Sequence, residues 1–141
     1  MLTAESDKKL FLLDAYALIF RAYYAFIRNP RINSKGQNTS AVFGFTTAVL
    51  DILKNEKPTH LAVVFDPPGP TFRHEEFSAY KANRDETPED IRASVPRVLE
   101  VAAAMRIPTI TIPGYEADDT IGALSVKAEN AGFDVYMMTP D

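Results

Sequence analysis

Four short apolar runs with helical patterns between them place the strongest constraint on the fold of this chain. They occupy residues 10–13, 61–65, 109–112 and 135–138. The first, second and fourth do not alternate apolar and polar residues as a strand with one solvated face does, and continuous short runs are typical of parallel strands covered on both faces. The pattern therefore predicts an α/β fold, with a mainly parallel central sheet flanked by helices.

Helical patterns fill the intervals between these runs. Residues 15–27 are rich in alanine, leucine and aromatic residues and are expected to form a helix. Residues 40–54 carry apolar side chains at helical spacing, and residues 117–131 are predicted to form a further helix. Gly132 is well placed to end the last of them, because glycine readily adopts the left-handed conformation that follows a helix. The aromatic side chains late in the first helix are expected in the core, namely Tyr23, Tyr24 and Phe26.

A further helix is predicted to begin near residue 87. Thr87 would be its capping residue and Pro88 its first residue, followed by two acids in the first turn. Pro96 lies inside the apolar pattern that follows, and we expect it to kink or restart the helix because proline lacks the N–H that a helix interior needs.

Carboxylates follow every predicted strand within a few residues. They are Asp14, Asp66, the group Glu116, Asp118 and Asp119, and finally Asp141. Because the carboxyl ends of parallel strands meet at one edge of a sheet, these side chains are expected to lie close together. Two carboxylates about 5 Å apart repel by roughly 3 kcal/mol at an effective dielectric constant near 20, so such a cluster requires protons or cations.

The available ligands favour a hard divalent cation at this edge. Mg²⁺ prefers oxygen ligands and commonly combines a few carboxylates with several waters. His60 and His74 lie away from the strand ends and the chain has no cysteine, which argues against zinc. Each acid alone has an ordinary explanation as a turn former, a cap or a partner of a helix dipole. The joint placement is what indicates a metal site.

The cations are separated from the acids, although the net charge is −4. Residues 21–35 contain four cations and no acid. If a helix begins at Thr71, then Arg73, Phe77, Tyr80, Lys81 and Arg84 fall near one of its faces. Cations interleaved with aromatics suit a single nucleic-acid strand. An amphipathic helix that covers the sheet explains the same pattern equally well.

Three long segments, residues 13–26, 64–84 and 114–122, resemble in order the motifs of the 5′-nuclease domains of bacterial DNA polymerase I, within the flap endonuclease superfamily. Thr139-Pro140-Asp141 resembles the start of a fourth motif. The resemblance implies a PIN-like α/β fold. It also implies hydrolysis of phosphodiester bonds near a 5′ end or a branch point, with two divalent ions, Mg²⁺ or Mn²⁺.

The resemblance also implies roles for individual residues. The metal-site carboxylates would be Asp14, Asp66, Glu116, Asp118, Asp119 and Asp141. Contacts to the substrate would come from Arg21, Arg73, Tyr80, Lys81 and Arg84. Lys81 or Arg84 would stabilise charge in the transition state, while Tyr80 would stack on a base. The implied partner is DNA with a 5′ single-stranded end or flap, or an RNA primer. The implied location is the cytoplasm, with no membrane partner and no implied oligomer.

Members of this family continue well past residue 141, with further acids and a helical module that grips duplex DNA. We therefore expect residues 1–141 to be the amino-terminal part of the nuclease domain, with a disordered tail over residues 1–8 and an arch or loop over residues 67–90. The chain alone is expected to bind Mg²⁺ weakly and to have little or no nuclease activity. Two alternatives stay open, a PIN-like ribonuclease and a non-catalytic DNA-binding module.

Overall fold

The structure, a computed structural model, describes residues 7–67 and 87–138. The strands in these ranges are β1 (Lys9–Asp14), β2 (His60–Val64), β3 (Thr109–Ile110) and β4 (Asp134–Met138). The helices are α1 (Ala15–Ala25), α2 (Ser40–Asn55), α3 (Glu89–Ala104) and α4 (Ala117–Asn130). Each strand and helix predicted within these ranges is present in the predicted order. None of the helices in the described ranges has the length and apolarity needed to cross a membrane.

The strands form one parallel sheet with the order β3-β2-β1-β4. The two central strands end at the same edge, because Asp14, the last residue of β1, pairs with Val64, the last residue of β2. The chain stays extended past β2, and the N–H of Phe65 donates to the carbonyl of Ile110 at 2.8 Å. The predicted parallel α/β fold is therefore confirmed, with the carboxyl ends of β1 and β2 side by side.

Helices cover both faces of the sheet. Successive side chains of a strand point to opposite faces, and Leu13 accordingly packs with residues of α1, α2 and α3, whereas Leu12 packs with α4. The buried layer on the α4 face consists of Leu12, Ala62, Val64, Ala117 and Ile121. Burial on both sides explains why the two central strands, β1 and β2, are continuous apolar runs.

The structure corrects two expectations for α3, the residue that caps it and a restart at Pro96. Pro88, not Thr87, is the residue before the first helical position, with extended backbone at φ −53° and ψ 143°. Pro96 does not restart the helix, which is continuous over its whole range. Ile91 and Val98 are fully buried on either side of Pro96, while Pro96 itself is exposed. Packing of the apolar face thus offsets the lost hydrogen bond, and water can reach the exposed side.

The end of α4 is as predicted. Gly132 follows the last residues of the helix with φ 90°, a conformation that glycine adopts without steric penalty. Its N–H donates to the carbonyl of Glu129, and the N–H of Phe133 donates to that of Ala128, both at 3.0 Å. These bonds reverse the chain so that it enters β4 directly.

The end of α1 is more open than predicted. Tyr24, expected in the core, is 50% exposed, whereas Tyr23 is half-buried. Tyr24 stacks on Phe20, one helical turn earlier, with ring centroids 6.3 Å apart. The expectation failed for Tyr24 because spacing identifies an aromatic face but does not show how far the neighbouring helix covers it.

Helices α1 and α2 lie close together at Gly44. A Cβ atom built on Gly44 would overlap with the Cβ of Ala22 and lie 3.2 Å from its Cα. Gly122 in α4 offers a contrast, because a Cβ there would meet no atom within 4 Å. Helix packing therefore excludes a side chain at Gly44 but not at Gly122.

We expect Gly44→Ala to lower the free energy of unfolding by about 1–3 kcal/mol, because overpacking forces the two helices apart. The matched control is Gly122→Ala, which should be neutral or stabilising by up to about 1 kcal/mol, since glycine is unfavourable inside a helix. Urea unfolding followed by circular dichroism measures both. Equal stabilisation by the two substitutions would show that the helices have room for the added methyl group.

Candidate metal centre

Asp14 joins β1 to α1 and caps the helix. Its Oδ1 accepts the N–H of Ala17 at 3.2 Å, and its backbone is extended, as is usual for a capping residue. The side chain is only 3% exposed. An acid placed between a buried strand and a helix thus becomes a buried carboxylate at the amino terminus of α1.

The pKa of Asp14 reflects its buried position. Its pKa is raised from 3.8 to about 6, mainly by burial; the charges of Asp66 and Asp118 also contribute to the increase, while hydrogen bonds from the backbone of Ala17 and Tyr16 oppose it. The carboxylate therefore lies within the electrostatic reach of two other predicted ligands. A cation at this point would offset both the burial and the repulsion, which is the condition expected of a metal ligand.

Asp66 lies two residues beyond Val64, the partner of Asp14 in the sheet. By the alternation of strand residues, both acids belong to the face that α4 covers. Asp66 Oδ1 accepts the N–H of Ala117, the first residue of α4, at 2.7 Å. The neighbouring Glu116 is in the capping position of α4 but makes no capping bond with its side chain. Asp66, which lies 51 positions before Ala117 in the chain, thus caps α4 in place of the adjacent Glu116.

The amino terminus of α4 brings the remaining acids to the same edge. Glu116 is buried at 5% exposure, Asp118 is exposed and Asp119 is partly buried in the first turn. The partial positive charge of a helix amino terminus stabilises carboxylates there. Since the charge of Asp118 acts on Asp14, the first turn of α4 faces the end of β1.

Five of the six predicted metal ligands thus lie where β1, β2 and α4 meet. Their oxygen donors fit a hard divalent cation. No group of three or more histidine or acidic side chains within residues 7–67 and 87–138 is arranged to hold a metal ion. Asp141 lies outside the described residues, as do Arg73, Tyr80, Lys81 and Arg84. So do most of the predicted tail and of the predicted arch, whose last two residues, 89 and 90, belong to α3.

Tyr16, for which the sequence predicts no role, also lies at this edge. It is the second residue of α1, and its half-buried ring meets that of Phe65 edge to face, with centroids 6.5 Å apart. Burial, and secondly the charge of Asp66, raises the pKa of its phenol above the usual value. Two signals in the sequence mark it, namely its place two residues after a strand-ending acid and its position within residues 13–26, which resemble a 5′-nuclease motif.

The acid-free segment forms a separate surface at the far end of α1. Arg21 is exposed on α1 itself. The guanidinium of Arg31 lies 4.0 Å from the ring centroid of Phe43 and 5.1 Å from that of Phe26. A cavity of about 360 Å³ nearby is lined by Phe26, Asn29, Pro30, Arg31 and Ile32. None of the predicted acids lines this cavity. The cavity is therefore distinct from the acidic edge, which is the end of the sheet where Asp14 and Asp66 lie.

The sheet topology and the acidic edge define an α/β protein of the PIN-like nuclease fold. The chain belongs to the family described as the 5′-3′ exonuclease, N-terminal resolvase-like domain, whose model matches residues 9–141. DNA polymerase I of Bacillus caldotenax is 43% identical over 135 residues, which cover 95% of this chain and 15% of the relative. DNA polymerase I of Synechocystis is 39% identical over 144 residues, or 100% of this chain and 15% of the relative. The chain thus spans about 15% of the length of these relatives.

Two solved structures of bacteriophage T5 proteins share the fold. The T5 5′-exonuclease with bound zinc ions superimposes with a TM-score of 0.64 and 24% identity, covering 95% of this chain and 49% of that chain. The T5 D15 flap endonuclease, in a pseudo-enzyme–product complex with DNA and metal ions, gives 0.61 and 26% identity over the same shares of the two chains. These matches confirm the predicted fold class.

Proposed function

We propose that this chain supplies the metal-binding edge of a divalent-metal-dependent 5′ nuclease acting on DNA with a single-stranded 5′ end or flap. The observation that carries the proposal is the convergence of Asp14 and Asp66, each held by a backbone N–H at the first turn of a helix. The T5 flap endonuclease, which binds DNA and metal ions, supports the same interpretation. In a DNA polymerase I, the activity would remove primers and flaps during replication and repair.

The chemistry assigns distinct tasks to the residues of this chain. Two divalent ions, Mg²⁺ or Mn²⁺, would supply an activated water and stabilise charge on the attacking and leaving oxygens. Asp14 and Asp66 would each offer carboxylate oxygen to an ion, while a backbone N–H holds the Oδ1 of each side chain. Glu116, Asp118 and Asp119 add further oxygens from α4, and Asp141 is proposed to complete the set.

The basic residues are proposed to bind the substrate. Arg21, exposed on α1, and Arg73 would contact phosphates, because cations provide most of the affinity for a nucleic-acid backbone. Lys81 and Arg84 would add positive charge at the reacting phosphate. Tyr80 would stack on a base beside the cleaved bond.

The first test measures the binding of Mn²⁺ to the 141-residue chain by isothermal titration calorimetry. We expect weak but saturable binding that is lost on adding EDTA, because several carboxylates at one edge attract a divalent ion. Cleavage of a labelled 5′-flap DNA by the same sample is expected to be slow or undetectable. Absence of saturable Mn²⁺ binding would overturn the proposal.

Two other functions predict different results in the same experiments. A PIN-like ribonuclease would bind single-stranded RNA in preference to the flap DNA, which competition in fluorescence anisotropy measures. A non-catalytic module would bind DNA with no dependence on Mn²⁺. No contact among the described residues favours either alternative over the nuclease.

A further inference from the structure

Tyr16 connects the two strand ends that carry the central acids. As the second residue of α1 it lies two positions after the Asp14 cap, and its backbone N–H forms one of the hydrogen bonds that lower the pKa of Asp14. Its ring meets the ring of Phe65 at an interplanar angle of 80° and a centroid distance of 6.5 Å. Phe65 immediately precedes Asp66 in the chain, so Tyr16 is linked to Asp14 through its backbone and to the residue before Asp66 through its ring.

The contact with Phe65 matters because Asp66 lies beyond the last paired residue of β2. On the α4 face its carboxylate is held by the N–H of Ala117 at 2.7 Å. On the opposite face the buried Phe65 ring is held by α1, through Tyr16. The backbone that aims the Asp66 carboxylate is thus fixed from both sides of the sheet.

We propose that Tyr16 is a positioning residue, whose ring holds Phe65 and thereby aims Asp66 at the N–H of Ala117 and at the metal site. The effect of Tyr16 on metal binding rests on the proposed function, whereas its effect on the orientation of the Asp66 carboxylate does not. Tyr16 acts through Phe65 and needs no contact with substrate. Residues that orient metal ligands in this way typically change metal affinity about 10–100-fold when they are replaced.

The test compares two aromatic side chains of α1. Tyr16→Leu removes the ring contact with Phe65, whereas Tyr23→Leu removes another half-buried ring that packs against the same core. Tyr16→Phe keeps the ring and is the conservative variant. Urea unfolding of the metal-free chain shows whether the two leucine variants lose comparable stability, so that a difference between them has a local cause.

The first readout needs no metal. We expect the Ala117 amide to exchange its hydrogen about tenfold faster in Tyr16→Leu, as when one hydrogen bond to a charged group is weakened. In Tyr23→Leu and Tyr16→Phe the exchange should match that of the unchanged chain. Exchange at Ala117 that is equal in both leucine variants would overturn the proposal, because Tyr16 would then be a core residue only.

The second readout is the dissociation constant for Mn²⁺. Tyr16→Leu should weaken binding about 10–100-fold, with Tyr23→Leu and Tyr16→Phe close to the unchanged chain. If the unchanged chain binds no Mn²⁺, the proposed function fails. If the Ala117 amide nevertheless exchanges faster in Tyr16→Leu, the role of Tyr16 in orienting the Asp66 carboxylate still stands. If Mn²⁺ binds equally well to all variants, the role of Tyr16 at the metal site is overturned.

Discussion

Asp66→Ala is expected to abolish measurable Mn²⁺ binding and to lower the free energy of unfolding by about 1.5–3 kcal/mol. The loss of binding follows from removing a proposed ligand at the centre of the acidic edge. The loss of stability has a separate cause, because the N–H of Ala117 loses a charged acceptor at 2.7 Å, and hydrogen bonds to charged groups contribute this much. Calorimetry and urea unfolding measure the two effects independently.

Asp66→Asn separates the two roles of this side chain. Its amide oxygen can still accept from Ala117, so most of the stability should remain, while the loss of negative charge should still weaken Mn²⁺ binding strongly. Asp51→Ala is the control, since Asp51 is an exposed acid on α2 away from the sheet edge. Wild-type Mn²⁺ affinity in both Asp66 variants would show that Asp66 is a structural cap and not a ligand.

Activity can be measured in a hybrid in which this chain replaces the matching residues of the Bacillus caldotenax DNA polymerase I. Cleavage of a 5′-flap DNA by this hybrid is expected to fall about 10²–10³-fold with Asp66→Ala. That range corresponds to the several kcal/mol that a bound metal contributes to a transition state. A hybrid that cleaves equally well with and without Asp66 would contradict the assignment of this acid.

Asp14→Asn is expected to stabilise the metal-free chain at pH 8. The folded-state pKa of Asp14 is raised, to about 6 from 3.8. The folded chain therefore binds this proton more tightly than the unfolded chain. The resulting contribution to the free energy of unfolding is fully present below about pH 4 and is lost as the pH rises through 6. Two pKa units correspond to roughly 3 kcal/mol.

The side-chain amide that this substitution introduces would carry no charge at any of these pH values. It would still cap α1, because asparagine is as good a cap as aspartate. The variant should therefore be up to roughly 3 kcal/mol more stable than the original chain at pH 8 and similar at pH 4. Urea unfolding in EDTA at pH 4, 6 and 8 measures this. A variant that is less stable at pH 8 would show that the ionised carboxylate is well accommodated without metal.

Local patterns were sufficient for the features that depend on neighbours in the chain. Short apolar runs identified all four strands of the described ranges, and Gly132 marked the end of α4 because only its own backbone conformation is involved. The acids at the ends of β1 and β2 could be predicted to meet, since strands of a parallel sheet end at a common edge.

Features that depend on distant contacts could not be predicted in this way. The capping of α4 by Asp66 joins residues 51 positions apart, and the contact between Tyr16 and Phe65 depends on how α1 crosses the sheet. Pro96 does not restart α3 for the same reason, because burial of the side chains before and after it keeps the helix continuous. Propensity describes a segment alone, whereas packing against other segments decides these cases.

The pairing of Asp14 with Val64 also limits where such a chain can change length during evolution. One residue inserted between Val64 and Asp66 would turn the carboxylate to the opposite face of the sheet, away from Ala117, because side-chain direction alternates at every position. Insertions in the exposed connection between α1 and α2 would leave the register of both strands intact. Homologues that keep the acids should therefore vary in length within connections and not in the last residues of β1 and β2, and a deletion there would be equivalent to losing the acid itself.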